Sequence, residues 1–509
     1  MSNKTDMKKS SMGSLKRLLF DNKVILMFVV LCLVCIVLAD TSVSYIAAEV
    51  FTRFGRNTCL VLALIIPCLA GLGMNFGIVV GAIAAQIAIF WVVHWGYTGI
   101  GGFLLCVILS TPLALVFGYL VGKLYNKTKG AEMIAGLILG FFADGLYKLF
   151  VLYILGGVIP FDDPNLLPRG FGLRNAFDLT GNIKYALDDI SFLTVVAIIS
   201  VLMIVSAIAV SLHGKKTGQP IAAKTTWSKV ITGAVLLVLS FVIRMIPSLN
   251  RLFGGTRLIL TDVALFGGIL ALIYVAVMFV VKRPKKNEKL FGKLLVIGVV
   301  AALLLVGTVI PAVREVYQAV QLPACSYGLI CVFCFFNNWI MDTRLGQNMR
   351  TVGQNRAVAT SAGIDVDKTR IIATCISTVL AAWGQLIFLQ NLGTFNTVQQ
   401  QTNVGLYAIA AILVGGATVQ KANNKHAIIG VFLFHTLFVV APLAATNLVG
   451  DSAISEYIRM FISYGVIAVS LAMHAWKSSG KKVNKNKDAD GITAATVAAS
   501  APVSDARPE

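Results

Sequence analysis

The sequence predicts an all-α polytopic membrane protein of about 10–14 transmembrane helices, each needing roughly 20 apolar residues, with both termini cytoplasmic. Three observations predict it. Hydrophobic residues make up 57% of the chain and charged ones only 13%, with a mean hydropathy of +0.82. The apolar residues come in long unbroken runs. The basic residues cluster between those runs.

A soluble domain carries roughly a quarter charged residues. Lipid offers no hydrogen bonds to exposed backbone, so a span must be a helix or part of a closed barrel. Runs such as 192–212 and 294–312 lack polar/apolar alternation, which favours helices. The net charge of +20 could suggest a nucleic-acid partner. The charge, however, sits in loop clusters (Lys215–Lys216, 282–293, 477–487), with no aromatic-interleaved soluble domain, so no nucleic-acid binding is expected. The nine cysteines mostly lie inside apolar runs, and Cys32/Cys35 and Cys331/Cys334 read as small packing residues rather than a redox or metal pair.

Taken in order, the runs fall at 24–39, 58–74, 76–95, 100–122, 131–158, 191–212, 230–246, 262–281, 291–312, 322–341, 370–390, 404–419, 427–446 and 455–476. The run at 24–39 reads as a retained first span, because its polar leader is long and Leu38-Ala39-Asp40 is a poor cleavage site. With the N-terminus inside, loops 123–129, 213–229, 282–293, 342–369 and 420–426 also fall inside, and all carry Lys or Arg excess. Arg244, Arg251 and Arg257 would lie outside, against that rule. The outside loop 161–190 is otherwise acid-rich, with Asp162, Asp163, Asp178, Asp188 and Asp189.

The expected organisation is a cytoplasmic segment 1–23, an N-terminal transmembrane part 24–158, and an inserted or divergent transmembrane region 159–341 with its external loop. A cytoplasmic loop 342–369, a C-terminal transmembrane part 370–476 and a disordered basic tail 477–509 follow.

The segment 350–369, RTVGQNRAVATSAGIDVDKT, is polar yet helical in character. Gly363 followed by Ile364, Asp365 and Val366 predicts a helix that stops at a glycine and a second that restarts from a cap at Asp365 or Asp367. Such a short helix suits docking to another protein; an ordinary amphipathic loop is the plainer reading.

Gly353-x-Asn355-x-x-Val358-Ala359-x-x-x-Gly363-Ile364, with a span beginning near Arg370, resembles the cytoplasmic motif of ribose- and branched-chain-amino-acid-type ABC permeases. Val358 replaces the first alanine of the usual pattern, and the acid of the older Glu-Ala-Ala form is missing. Ile409 to Gly416 is similar to that family's late Gly-Gly span end, Ile428-Ile429-Gly430 to the following span start, and Leu72 to Gln86 to its early Leu-x-x-Asn-x-x-x-Gly segment. The resemblance implies a coupling helix at Gly353, Asn355, Ala359, Gly363 and Ile364 that docks on a separate ABC ATPase subunit. It also implies an extracytoplasmic solute-binding protein, a second permease copy or paralogue, and the plasma (inner) membrane of a prokaryote. The solute expected is a simple sugar, then a nucleoside, then a branched-chain amino acid.

Nothing in the sequence reads as an ATP site. Gly118 to Leu124 approaches a P-loop but is one residue short and lacks the final Ser/Thr, so its glycines read as helix-packing positions. ATP would be used by the partner, and no cofactor, metal or catalytic residue is expected in this chain. Asn75, Gln86, Asp144 and Gln385 are the candidates for lining a translocation path, with helix-to-helix contact as the alternative for each. Asp144 and Lys148 share a helix face, and Glu132 reads as interfacial. His94 and His435 read as packing residues, and 399–403, QQQTN, as a solvated outer turn. The rival function is an ion-coupled secondary transporter using Asp144–Lys148 or Glu132.

Overall fold

A computed structural model describes residues 23–472, apart from 129, 161–163, 168–171, 217–222, 283–287, 420, 452, 456, 463, 466, 470 and 471. The expected cytoplasmic segment 1–23 falls almost wholly outside the described residues and the expected tail 477–509 entirely outside them, as do Asp162, Asp163 and Arg169 of the outer loop.

The chain is all-α. Stretches long and apolar enough to cross a membrane are Val43–Leu69, Gly99–Lys127, Glu132–Gly157, Leu260–Phe279, Ala324–Asp342, Val366–Leu392 and Asn424–Val449. Leu294–Val309 and Pro311–Ala319 make a further pair bent by 97°. Shorter apolar helices lie at Val24–Leu38, Ile78–His94, Phe192–Ile208 and Val230–Met245. With the bent pair taken as one, eight of the described helices are long and apolar enough to cross, and the four shorter ones fall on further apolar runs of the sequence.

Close backbone approach builds the core. Lipid is as apolar as leucine, so helices in a membrane associate through packing, and small residues let their backbones meet. Gly118 and Gly122 press the helix Gly99–Lys127 onto Val366–Leu392: a β-carbon there would lie 2.8 Å from the Cys375 Cα and 2.9 Å from the Ile371 Cα. Those glycines are packing positions, as the failed P-loop spacing suggests.

At one end, residues Ala176–Asp178 pair antiparallel with Thr394–Asn396, and Arg257–Ile259 with Gln321–Pro323. Phe177 stacks on Phe395 at 4.7 Å. Asp188, almost fully buried, fastens the loop preceding 192 to the spans. It accepts hydrogen bonds from Ser326 Oγ (2.5 Å), Gln390 Nε2 (3.1 Å) and Asn391 Nδ2 (2.7 Å). Arg257 lies over the Tyr185 ring at 4.8 Å, and Arg244 donates to Thr194 Oγ1 at 2.6 Å. Arg244 and Arg257 therefore lie at the end that holds the acid-rich loop. Aromatic and hydroxyl partners accommodate them there.

Candidate functional site

The opposite end carries the segment 343–370. Thr343 caps the helix Arg344–Gln354, accepting from the Gly346 amide. Asn355 then extends the chain (φ −156°) and caps Arg356–Ser361, its Oδ1 accepting from the Ala357 and Val358 amides at 2.9 and 3.2 Å. The short helix closes at Gly363, where φ is +76°. There the Gly363 amide donates to the Thr360 carbonyl and the Ile364 amide to the Ala359 carbonyl, both at 3.0 Å. Glycine adopts this left-handed turn without the Cβ penalty that other residues meet. Asp365 caps the next helix, Val366–Leu392, accepting from the Lys368 amide at 2.9 Å. The stop and restart read in the sequence are present.

The five docking candidates divide by role. Ala357, Val358, Thr360, Ser361, Ala362 and Gly363 are exposed, while Ala359 is buried beneath them and Ile364 is half-buried. Asn355 shapes the knob, and Gly363 ends it in open space. Gly353 lies behind it in a backbone contact: a β-carbon on Gly71 would stand 2.8 Å from the Gly353 Cα.

Behind the knob is a charge cluster. Glu132 Oε1 accepts from Arg356 Nη2 and from Arg370 Nη2, each at 2.5 Å. Its Oε2 accepts from the Gly130 amide at 3.1 Å, and Arg370 also donates to the Tyr125 carbonyl at 3.3 Å. Glu132 and Arg370 are both buried in protein, and Glu132 is the first residue of the helix Glu132–Leu149. Charges taken out of water persist only when paired. A cavity of about 500 Å³ lies alongside, walled by Gly71–Gly73, Gly130–Ile134 and Val352–Arg356.

The path candidates fare differently. Asn75 is fully engaged: its Oδ1 accepts from the Tyr125 hydroxyl (2.7 Å) and its Nδ2 donates to Ser377 Oγ (3.3 Å). Its local role is to fasten the helix break before Ile78. Gln86 donates to the Asn396 carbonyl at 3.4 Å, while its buried Oε1 has no partner. Gln385 is completely buried with both amide atoms unpartnered. Asp144 pairs with Lys148 at 2.6 Å and accepts from Gln401 Nε2 at 2.6 Å.

The 399–403 stretch is not the solvated turn expected. Gln400 and Gln401 open the helix Gln400–Val414 as buried residues, and Gln400 folds back on the 394–396 strand, accepting from the Asn396 amide at 2.9 Å. Polar composition suggested water; the neighbouring strand supplies the hydrogen bonds instead. His435 is buried among Phe434 and Phe438, the packing role expected.

Sequence reasoning missed Arg370, Tyr125 and Gln401. The signal for Arg370 was available, since a lone arginine at the mouth of an apolar run calls for a partner. Tyr125 and Gln401 carried no such signal.

These helices and their buried ion pairs define a multi-pass membrane protein. Residues 235–471 match the family described as "Branched-chain amino acid transport system / permease component". Just under half of the chain is thus similar to permease components of transport systems. The chain is 30% identical over 154 residues to the ribose import permease protein RbsC of Escherichia coli (strain K12), covering 30% of this chain and 44% of that one. To the autoinducer 2 import system permease protein LsrC of Enterobacter sp. (strain 638) it is 30% identical over 126 residues, 24% and 35% of the two chains. To the xylose transport system permease protein XylH of Haemophilus influenzae it is 29% identical over 117 residues, 23% and 30%. The chain thus matches about a third to under half of the length of these relatives. No solved structure matches.

Proposed function

We propose that this chain is the transmembrane permease subunit of an ABC importer, forming the path for a small polar solute and coupling to a separate ATPase subunit that uses the ATP. A simple sugar is the first candidate, because the relatives are named for ribose and xylose; a nucleoside is the second. A solute-binding protein delivers from outside, and a second permease copy or paralogue completes the path.

One observation carries the reading. A six-residue helix, capped by Asn355 and closed by Gly363, stands on the inner end with small residues outward and its arginine tied to buried Glu132. A protruding, rigidly held knob of small side chains suits a groove on another protein. Coupling then requires that the partner's nucleotide-bound form favour one state of the membrane helices, since a partner that favours both equally shifts nothing. Gln86 and Gln385, buried carboxamides with unpartnered atoms, are the groups through which a hydroxylated solute would be recognised.

The test is co-purification and transport. The chain expressed with the ATPase subunit encoded beside it should form a stable complex, and proteoliposomes should take up the solute only with ATP inside the ATPase-accessible space. Uptake driven by an ion gradient with no ATPase bound would overturn the proposal and favour the secondary transporter. Asp144 and Glu132, which that rival needs, are both already engaged by basic side chains.

A further inference from the structure

The helix Glu132–Leu149 differs from its neighbours in how it is held. Glu132, Gly136, Gly140 and Asp144 are buried along one stripe at four-residue spacing, and Tyr147 is buried beyond them. The other faces carry Ile134, Ile138, Phe141, Phe142 and Leu146, all well exposed. The middle of the stripe has no side chains to interlock. Gly136 lies against the Tyr125 hydroxyl, and a β-carbon at Gly140 would come no nearer than 3.5 Å to the Phe76 carbonyl. An apolar cavity of about 490 Å³ opens beside the helix, lined by residues including Ile83, Phe117, Leu139 and Tyr147.

Polar attachments hold its two ends. At the inner end, Glu132 binds Arg356 of the knob and Arg370 of the 366–392 helix. At the other, Asp144 binds Gln401, directly after the Gln400 that folds onto the 394–396 strand of the outer end. Twelve residues of helix separate the attachments, about 18 Å at 1.5 Å per residue. Both flanks are jointed. Before the helix stands Gly130, with φ +96° and open space around it. After it the hydrogen bonding widens to a π-helix over Phe150–Ile154, and Gly156 has φ +82°. A π segment inside a helical run commonly marks a functional irregularity.

We propose that the 132–149 helix is a lever. It carries movement of the knob, through the Glu132–Arg356 pair, to the outer end of the molecule, through the Asp144–Gln401 bond. Glu132, Asp144 and Gln401 are positioning residues in this device. A rod held at both ends, packed over glycines between and jointed at each flank shifts as one body. The proposal rests on the reading of the knob as the ATPase contact and adds the route by which its movement travels.

The experiment is hydrogen exchange on the co-purified permease–ATPase complex, with and without a non-hydrolysable ATP analogue, so the solute need not be known. In the wild type, the analogue should change exchange at the knob (355–364) and at the outer segments (174–180 and 394–399), about tenfold, within the range of coupling between distant sites. Glu132→Gln removes the charge at the inner attachment, and Gln401→Met removes the outer bond at nearly constant volume. In Gln401→Met the knob response should persist and the outer response vanish. Glu132→Gln should likewise lose the outer response, and the double variant should lose no more than either alone, because the two attachments act in series. An outer response surviving in Gln401→Met overturns the lever even where Glu132→Gln does not assemble. A wild-type knob response without an outer one also overturns it. A wild-type chain that binds no ATPase sinks the functional proposal instead.

Discussion

Two glycines flank the knob, and the structure gives them opposite reasons for being glycine. A methyl group on Gly353 would fall onto the Leu69 carbonyl oxygen and stand 3.0 Å from both the Leu69 carbonyl carbon and the Gly71 nitrogen. All three are backbone atoms, so none can swing aside. Overpacking of this kind costs about 1–3 kcal/mol. The intrinsic gain of alanine over glycine inside a helix offsets roughly 0.5–1 kcal/mol of that. Gly353→Ala should therefore destabilise the protein by up to about 2.5 kcal/mol and push the 344–354 helix, with the knob behind it, away from the helix break at Gly71. A methyl on Gly363 meets nothing within 4 Å; it carries only the left-handed backbone penalty of about 1–2 kcal/mol. Reduced freedom of the unfolded chain returns about 0.4–1 kcal/mol. Gly363→Ala should thus be the milder change, and Gly363→Asn milder still. The assay is thermal unfolding of the purified permease in detergent beside ATP-dependent uptake by the reconstituted complex. Gly353→Ala should melt lowest and lose uptake. Unaltered melting and uptake in Gly353→Ala, with Gly363→Ala impaired, would refute the assignment of a backbone contact at 353 and a free turn at 363.

Other outcomes follow from the same geometry. Val358→Glu and Gly363→Asp put charge on the exposed knob and should abolish ATP-dependent uptake with membrane yield unchanged; Ala359→Glu buries its charge and should also cut the yield, as read on immunoblots. Asp144→Asn retains an acceptor for Gln401 and should spare uptake, whereas Asp144→Leu should lose it; strong loss in the asparagine variant at normal expression would place the charge itself in the path. Asn75→Leu leaves the buried Tyr125 hydroxyl proton without its acceptor, while Ser377 keeps its bond to the Ala63 carbonyl; one unsatisfied group costs about 1–3 kcal/mol, so melting in detergent should fall below that of Gly363→Ala.

The sequence determined whatever depends only on near neighbours or on the solvent. Run length against bilayer thickness set the class, and basic clustering set which loops share a side. The stop at Gly363 and a restart at an aspartate just beyond it were legible because a cap and a left-handed turn are closed by amides three to five residues away; which of Asp365 and Asp367 caps was settled by the structure. Tertiary structure alone decided the partners of the buried polar groups. Glu132 meets Arg356 and Arg370 from 224 and 238 positions away, and Asp144 meets Gln401 from 257 away. It gave Asn75 partners on two other helices, made Gln400 and Gln401 interior residues rather than a wet turn, and set Gly353 against the backbone at Leu69 and Gly71. The physical reason is that in lipid every span is apolar. Hydropathy says that a helix crosses but not which face meets which neighbour, and that choice rests on where small residues let two backbones touch.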